Sequence, residues 1–271
     1  MPPKVAGSTS EQCRVILGNC LDVIPDLGKF NFIFADPPFN LDKDYIGFKD
    51  SVPRGEYVAF TNNWIKLCVE ALASNGVIAL YGNDDLAMLY LHLTGGSVNL
   101  KRIAWVNWHY RFGQCGRGNW IDARTHCLVF AKDKNYTWNP DDVLVASDRA
   151  TIYKDKRIND TERGGSRLPG TVWGIPSDGP CWCRVQGTSK ERRPGHPNQL
   201  PEVFLERLIR AYTSMGDRIL DPFGGSGTTV VVSQALHRRC VTCDISSSNV
   251  ASIKTRLKKG AVRVNPLHYK K

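Results

Sequence analysis

The sequence predicts an α/β fold: an open, doubly wound, mostly parallel sheet with helices on both faces. Three observations predict it. Short apolar runs alternate with segments of helical period. Turn-forming runs, Asp-Pro-Pro at 36–38 and Gly-Gly-Ser-Gly at 224–227, stand directly after two of the apolar runs, where strands of such sheets end. The chain is 42% hydrophobic and 23% charged, which suits a packed globular core rather than a disordered chain.

The elements follow in order. Residues 1–12 are small and polar and predict a loose terminus. Arg14-Val15-Ile16-Leu17 reads as a short buried strand, and Asn31 to Ala35 as a second that runs into Asp36-Pro37-Pro38. Glu56 to Leu72 reads as a helix, with Phe60, Trp64, Leu67, Cys68, Ala71 and Leu72 on its apolar positions and Asn75-Gly76 as its stop. Val77 to Tyr81 is a third strand. Two more are expected near 102–108 and 127–132, around a Gly/Arg-rich loop from Arg111 to Arg124. From about 134 to 195 the periodicity fades and Asp, Arg, Gly and Pro dominate; an irregular stretch of that length points to function. Pro201 suits the first turn of a helix running to about Ser214, with Phe204, Leu205, Leu208, Ile209 and Tyr212 as its stripe. Then come a strand at 218–220, the glycine turn, a helix to about His237 and a strand at 240–243. A last helix is capped by Ser246, buried through Val250, Ile253 and Leu257, and stopped by Gly260.

Lys and Arg total 36 against 26 Asp and Glu, a net charge of +10. That excess suits a polyanionic partner. No apolar run reaches the length of a membrane span, so no membrane partner is expected. Met1-Pro2-Pro3-Lys4 lacks the apolar stretch of a secretory signal, and the nine cysteines are an odd number. Both point to a cytoplasmic protein with reduced thiols. Cys240-x-x-Cys243 and Cys181-x-Cys183 could suggest a metal, but none is expected: Cys240 and Cys243 lie in a predicted buried strand with side chains alternating across its faces, whereas zinc ligands converge from turns.

The run Asp221-Pro222-Phe223-Gly224-Gly225-Ser226-Gly227-Thr228-Thr229 joins a strand to a helix. Glycines let the backbone turn sharply and approach a ligand. The helix start favours an anion. Asp244, at the end of the next strand, suits a ribose. A plain structural turn is the competing reading. No Gly-Lys-Ser/Thr follows, which disfavours ATP, and the spacing is not that of a dinucleotide fingerprint.

Asp36-Pro37-Pro38-Phe39 reads either as a proline turn or as an acceptor cluster. The prolines remove two N–H donors, leaving the Asp36 carboxylate, the Pro37 carbonyl and an aromatic face. Such a site can accept both hydrogens of an exocyclic amine while the ring stacks on its base. That stabilises the more nucleophilic form of the nitrogen in the transition state.

Together the two motifs resemble the DNA amino-methyltransferases. Asp36-Pro37-Pro38-Phe39 is similar to their Asp/Asn/Ser-Pro-Pro-aromatic motif. Phe223-Gly224-Gly225-Ser226-Gly227 is similar to their Phe-x-Gly-x-Gly motif. His196-Pro197-Asn198-Gln199-Leu200-Pro201 resembles the segment that opens the preceding helix. The catalytic motif comes first, as in the β-class of restriction–modification enzymes, a circular permutation of the usual Rossmann-like methyltransferase order.

The resemblance implies S-adenosylmethionine as cofactor and double-stranded DNA as partner, with monomer and homodimer both open. Asp36, Pro37, Pro38 and Phe39 would be catalytic. Asn19, Cys20, Asp36, Asn198, Gln199, Phe223, Gly224, Gly225, Ser226, Gly227, Thr228, Thr229 and Asp244 would hold the cofactor. Asn19 stands where many relatives carry Asp. Asp36, rather than Ser, favours adenine N6 over cytosine N4 as the methylated atom, and the base must be flipped from the duplex.

The domain division expected is 13–133 for the catalytic half, 134–195 for target recognition, 196–260 for the cofactor half and 261–271 for a basic tail. Arg111, Arg157, Arg163, Arg167, Arg184, Lys190, Arg192 and Arg193 are candidates for DNA contacts, with a solvated basic surface as the competing reading. Two other functions compete. A nicotinamide dehydrogenase would not carry the double-proline turn, and a noncatalytic DNA-binding relative would not need Asp36 and the glycines.

Overall fold

The structure is a computed structural model. It describes residues 12–264, other than 46, 47, 97, 99, 115–117, 119, 161, 162 and 179–181. The expected loose terminus, Cys115, Cys181 and the tail from 265 lie outside the described residues.

The chain order is β1 (Cys13–Leu17), α1 (Cys20–Val23), β2 (Phe30–Ala35), β3 (Asp44–Tyr45), β4 (Phe48–Lys49), α2 (Arg54–Ala71), β5 (Leu72–Gly82), α3 (Asp84–Gly96), β6 (Lys101–Gln114) and β7 (Asp122–Ala131). Then follow β8 (Val145–Ala146), α4 (Asp148–Thr151), β9 (Ser166–Arg167), β10 (Val172–Trp173), α5 (Glu202–Tyr212), β11 (Arg218–Asp221), α6 (Thr228–Ala235), β12 (Arg239–Asp244) and α7 (Ser247–Lys259). Eight strands form one sheet in the order β1-β12-β11-β2-β5-β7-β6-β10, and only β7 runs against the rest. β11, from late in the chain, pairs with β2, from early in it. That pairing brings the two motifs to neighbouring strand ends.

Alternation along the strands divides the core. Phe32, Phe34, Val77, Ala79 and Val129 face one side, with α5 and α6. Ile33, Ala35, Ile78, Leu80, Leu128 and Phe130 face the other, with α2 and α3. On α5, Phe204, Leu205, Leu208 and Ile209 are at most 1% exposed, each burial contributing about 1.5–3 kcal/mol.

The structure departs from the sequence reading in three places. α2 ends at Ala71, and Asn75-Gly76 lies inside β5, where the β2–β5 register shifts between Phe30 and Phe32. A Cβ on Gly76 would sit 2.6 Å from Leu72 Cγ, so the glycine serves the folded-back strand rather than a helix stop. Helix α3 was not read from the sequence. Both ends of the loop expected from Arg111 to Arg124 are strand instead: β6 and β7 pair as far as Gln114 opposite Asp122.

Candidate active site

Asp36 follows the last residue of β2 and is half-buried. The Tyr57 hydroxyl, from α2, donates to the Pro38 carbonyl at 2.5 Å. The Pro37 carbonyl takes no hydrogen bond among the described residues and remains available. The turn then needs left-handed backbone at Asn40 (φ 57°) and Asp42 (φ 54°), which Asn and Asp tolerate better than most residues. Asp50, 2% exposed, holds it: its carboxylate accepts from the N–H of Asn40 (2.7 Å), Leu41 (3.0 Å) and Lys43 (3.1 Å). Phe39 packs on Tyr81, ring centroids 6.1 Å apart, and the Tyr81 hydroxyl meets Thr125 Oγ1 at 2.6 Å. Burial, and then the neighbouring Asp221 carboxylate, push Asp36 well above the ordinary carboxylate range. Asp221 itself, 3% exposed at the end of β11, is pushed up to about 6, chiefly by burial. The half-buried Asp36 and the buried Asp221 therefore lie close enough for one carboxylate to feel the other, an environment that favours a cation nearby.

The glycine turn follows Asp221. Gly225 (φ 48°) and Gly227 (φ 76°) take left-handed backbone. Gly224 has no room for a side chain, since a Cβ would lie 2.7 Å from Thr242 Oγ1. Its N–H donates to the Cys243 carbonyl at 2.8 Å, tying the turn to β12. Phe223 packs edge-on against Trp64 at 5.3 Å. Ser226 Oγ lies 3.0 Å from Thr228 Oγ1.

Several expected cofactor contacts are spent on the fold instead. The Thr228 hydroxyl is buried between the Leu200 carbonyl and Arg256, and Thr229, 3% exposed, bonds to Asp221. These threonines leave only backbone N–H groups at the start of α6 for a ligand. Gln199 is buried. Its Nε2 donates to the Glu191 carbonyl (2.7 Å), and its Oε1 accepts from the Arg193 N–H (2.9 Å). Cys20 sits in the core behind the site, 4% exposed, its thiol pushed up to about 12 by burial. Asn19 caps α1, accepting from the Leu21 N–H at 3.0 Å. Asn198 is exposed and accepts from Arg184 at 2.9 Å.

Asp244 ends β12, as expected, but both its oxygens already accept. Oδ2 takes the Gly225 N–H (2.8 Å), Oδ1 takes the Ser246 N–H (2.8 Å), and the Asn249 amide spans both at 3.2 Å. A ribose would displace the amide and leave the two backbone bonds. His196 lies close enough to feel the Asp244 charge, while burial lowers its pKa and favours the neutral ring.

A buried ionic brace lies beneath the glycine turn. Arg256 donates through Nη1 to the Ser226 carbonyl (2.9 Å) and Thr228 Oγ1 (3.0 Å), and through Nη2 to Glu202 Oε1 (2.8 Å). Glu202 Oε2 accepts from the N–H groups of Val262 and Arg263, both at 2.7 Å. Glu191 accepts from the Glu202 N–H (2.7 Å) and pairs with Arg263 at 3.3 Å. Sequence reasoning missed this brace, because Arg256 reads as one more charge on the last helix. It also missed Asp50, Tyr81 and Asp221, of which only Asp221, ahead of a proline at a strand end, carried a local signal.

The basic candidates divide. Arg111 is turned into the fold: Nε donates to the Gly174 carbonyl (2.9 Å) and Nη2 to that of Ile175 (2.8 Å). Arg157 pairs with Asp155 at 2.8 Å, Arg163 with Asp141 at 3.5 Å and Arg167 with Asp148 at 3.7 Å, all at the surface. Arg184 stacks over Tyr110 at 5.2 Å, and Lys190 and Arg192 are exposed. Arg193 is half-buried, its Nε without a hydrogen-bond partner among the described residues. The irregular segment is pinned to α5 by Arg207, which lies 5.1 and 4.1 Å over the rings of Trp173 and Trp182 and pairs with Asp178 at 3.0 Å. Trp173, 7% exposed, thus anchors the segment to the core.

The chain matches the family profile described as DNA methylase, of the N6/N4 methyltransferases, over residues 30–255. It is 30% identical over 248 residues to the type II methyltransferase M.HpaI of Haemophilus parainfluenzae, covering 90% of this chain and 74% of that one. It is 30% identical over 227 residues to the DNA adenine methyltransferase YhdJ of Escherichia coli, covering 81% and 73%. The solved structure of the PvuII DNA methyltransferase, cytosine-N4-specific, superposes with a TM-score of 0.71 at 15% identity, covering 98% of this chain and 92% of that one. With a profile match that spans both the proline turn and the glycine turn, the chain belongs to the N6/N4 DNA methylase family.

Proposed function

We propose that this protein transfers a methyl group from S-adenosylmethionine to the N6 atom of an adenine flipped out of double-stranded DNA. The observation that carries the reading is the pairing of β2 with β11, which sets the Asp36-Pro37-Pro38-Phe39 turn beside the glycine turn at one crevice. The residues fit the cofactor: Gly224 leaves a cradle that a Cβ would fill, α6 offers N–H groups to a carboxylate, and Asp36 and Asp221 favour a cation. Gly224, Gly225, Ser226, Gly227 and Asp244 would hold it, with Asn19, Asn198 and His196 at the rim.

When bound, the cofactor supplies an electrophilic methyl carbon. Asp36 and the Pro37 carbonyl accept the two amine hydrogens and draw the lone pair out of the ring. Phe39 holds the base by stacking. No strong base is needed before attack, since the methylated ammonium loses its proton easily.

Adenine is favoured by the Asp at the head of the catalytic turn and by the adenine-methylating relative at 30% identity. Cytosine N4 presents the same amine to the same acceptors and is the second reading. Incubation with S-adenosylmethionine and unmethylated DNA, full digestion and nucleoside mass spectrometry test this. N6-methyladenine is expected; N4-methylcytosine would move the assignment to the other base, and no modified base on any DNA would overturn the activity.

A further inference from the structure

We propose that Arg193 binds the carboxylate at the methionine end of the cofactor, which moves it from the DNA surface to the cofactor site. The proposal rests on the reading above that S-adenosylmethionine lies against the glycine turn.

Arg193 stands apart from the other arginines of its region. Arg157, Arg163 and Arg167 each face a carboxylate, and so does Arg256. Arg193 faces none among the described residues. It is half-buried, and its Nη1 reaches only the Arg192 carbonyl, at 3.3 Å. Its Nε is shut off from water and has no hydrogen-bond partner among the described residues. An unmet buried donor is unfavourable, and more so on a charged group. The arrangement fits a guanidinium left open for an anion that arrives with a ligand.

The loop that carries Arg193 is tied to the glycine turn. The Arg193 N–H donates to Gln199 Oε1 (2.9 Å), and Gln199 Nε2 donates to the Glu191 carbonyl (2.7 Å), which closes the loop on itself. At its far end the Leu200 carbonyl accepts from Thr228 Oγ1 at 3.3 Å. That hydroxyl also takes Arg256, which holds the Ser226 carbonyl. Burial lowers the Arg256 pKa, and the Arg193 charge acts in the same direction, as expected of neighbouring guanidinium groups. His196, three residues on, feels both Asp244 and Arg256. Glu202 is taken by Arg256 and Glu191 by Arg263, so Arg193 brings a third positive charge to a cluster with two carboxylates.

The chemistry of the cofactor supplies the missing anion. Its carboxylate is its one negative group, set against a sulfonium and an ammonium. Asp36 and Asp221 favour the cationic part, and Arg193 offers the opposite charge on the other side of the glycine turn. The Nε and Nη2 edge of a guanidinium takes both oxygens of a carboxylate at once. A DNA phosphate fits less well. It stays outside the protein surface, where the exposed Lys190 and Arg192 reach it and a buried Nε does not.

Calorimetry with two ligands tests this: S-adenosylmethionine and its decarboxylated form, which differ only in that carboxylate. Wild type should bind the decarboxylated form roughly 10- to 100-fold more weakly, the worth of a hydrogen bond between charged groups. Arg193→Gln should weaken S-adenosylmethionine binding by a similar factor and leave the decarboxylated form within about 3-fold of wild type. Arg193→Lys keeps the charge but loses the edge, and should fall between. Equal wild-type affinity for the two ligands, or an Arg193→Gln loss of the same size on both, would overturn the proposal. Unchanged S-adenosylmethionine affinity in Arg193→Gln would do so too, and weaker DNA binding beside it would return Arg193 to the phosphates. A wild-type protein that binds neither ligand would instead overturn the cofactor reading itself.

Discussion

Replacing Glu202 by Ala tests whether the buried brace locks the glycine turn in place. Glu202 is 0% exposed and the Arg256 side chain 1% exposed, so the substitution strands a guanidinium without its carboxylate. Removing one partner of such a pair costs about 3–5 kcal/mol. The N–H groups of Val262 and Arg263 also lose their acceptor, but they lie on a terminal segment that water can reach once it loosens, so the pair alone sets the figure. At ~2–4 °C per kcal/mol for a domain of this size, Tm should fall by roughly 6–20 °C. Thermal and urea unfolding measure this directly. Arg256 also holds the Ser226 carbonyl and Thr228 Oγ1, so cofactor affinity should weaken in the same variant. The double variant Glu202→Met/Arg256→Leu removes both charges and should recover most of the lost stability. A loss under about 1 kcal/mol for Glu202→Ala, or a double variant no better than the single, would refute the brace as an energetic lock.

Four further outcomes follow from the geometry. Asp36→Ala should abolish methyl transfer while calorimetry still shows cofactor binding; transfer at the wild-type rate would sink the proposed role of the acceptor pair. Because Asp221 is raised from 3.8 to about 6, the native state keeps a proton that the unfolded state loses, so stability falls as pH rises from about 4 to 6. That contribution is about 3 kcal/mol in all, and urea midpoints for Asp221→Asn should lack this part of the wild-type slope. Gly224→Ala drives a methyl into Thr242 Oγ1 at 2.7 Å, Ile253 Cδ1 at 3.0 Å and the Cys243 carbonyl at 3.2 Å, and should cost about 1–3 kcal/mol with weaker cofactor binding. Asp50→Ala orphans three N–H groups of the loop after Phe39 and should lower kcat far more than cofactor affinity, read from initial rates beside calorimetry.

Local signals reached far into this chain. Phe32, Ile33, Phe34 and Ala35 form a strand ending at a double proline, and Leu220-Asp221 runs into a glycine turn. Both patterns place ligand-facing residues by backbone period and turn chemistry alone. α3 carries a start signal that the strand reading passed over: Asn83 accepts from the Leu86 N–H at 3.1 Å, and Asp84 and Asp85 stand in its first turn. Thr228, Thr229, Gln199 and Cys20 were assigned to the cofactor by position, yet their side chains point inward. Position along a motif does not say which way a side chain turns. The reach of β6 and β7 past the sheet was hidden by glycines that read as loop, although Gly113 is there to let two strands cross closely.

The sequence by itself determined the alternation of strand and helix, the two turns and their chemistry, and the basic balance, because each rests on near neighbours in the chain. Tertiary structure alone decided that β11 lies against β2, that Asp221 shares a crevice with Asp36, and that Glu202, Glu191, Arg256 and Arg263 meet beneath the glycines. Those meetings depend on which apolar faces pack together, and the cost of leaving buried charge unpaired then selects the partners.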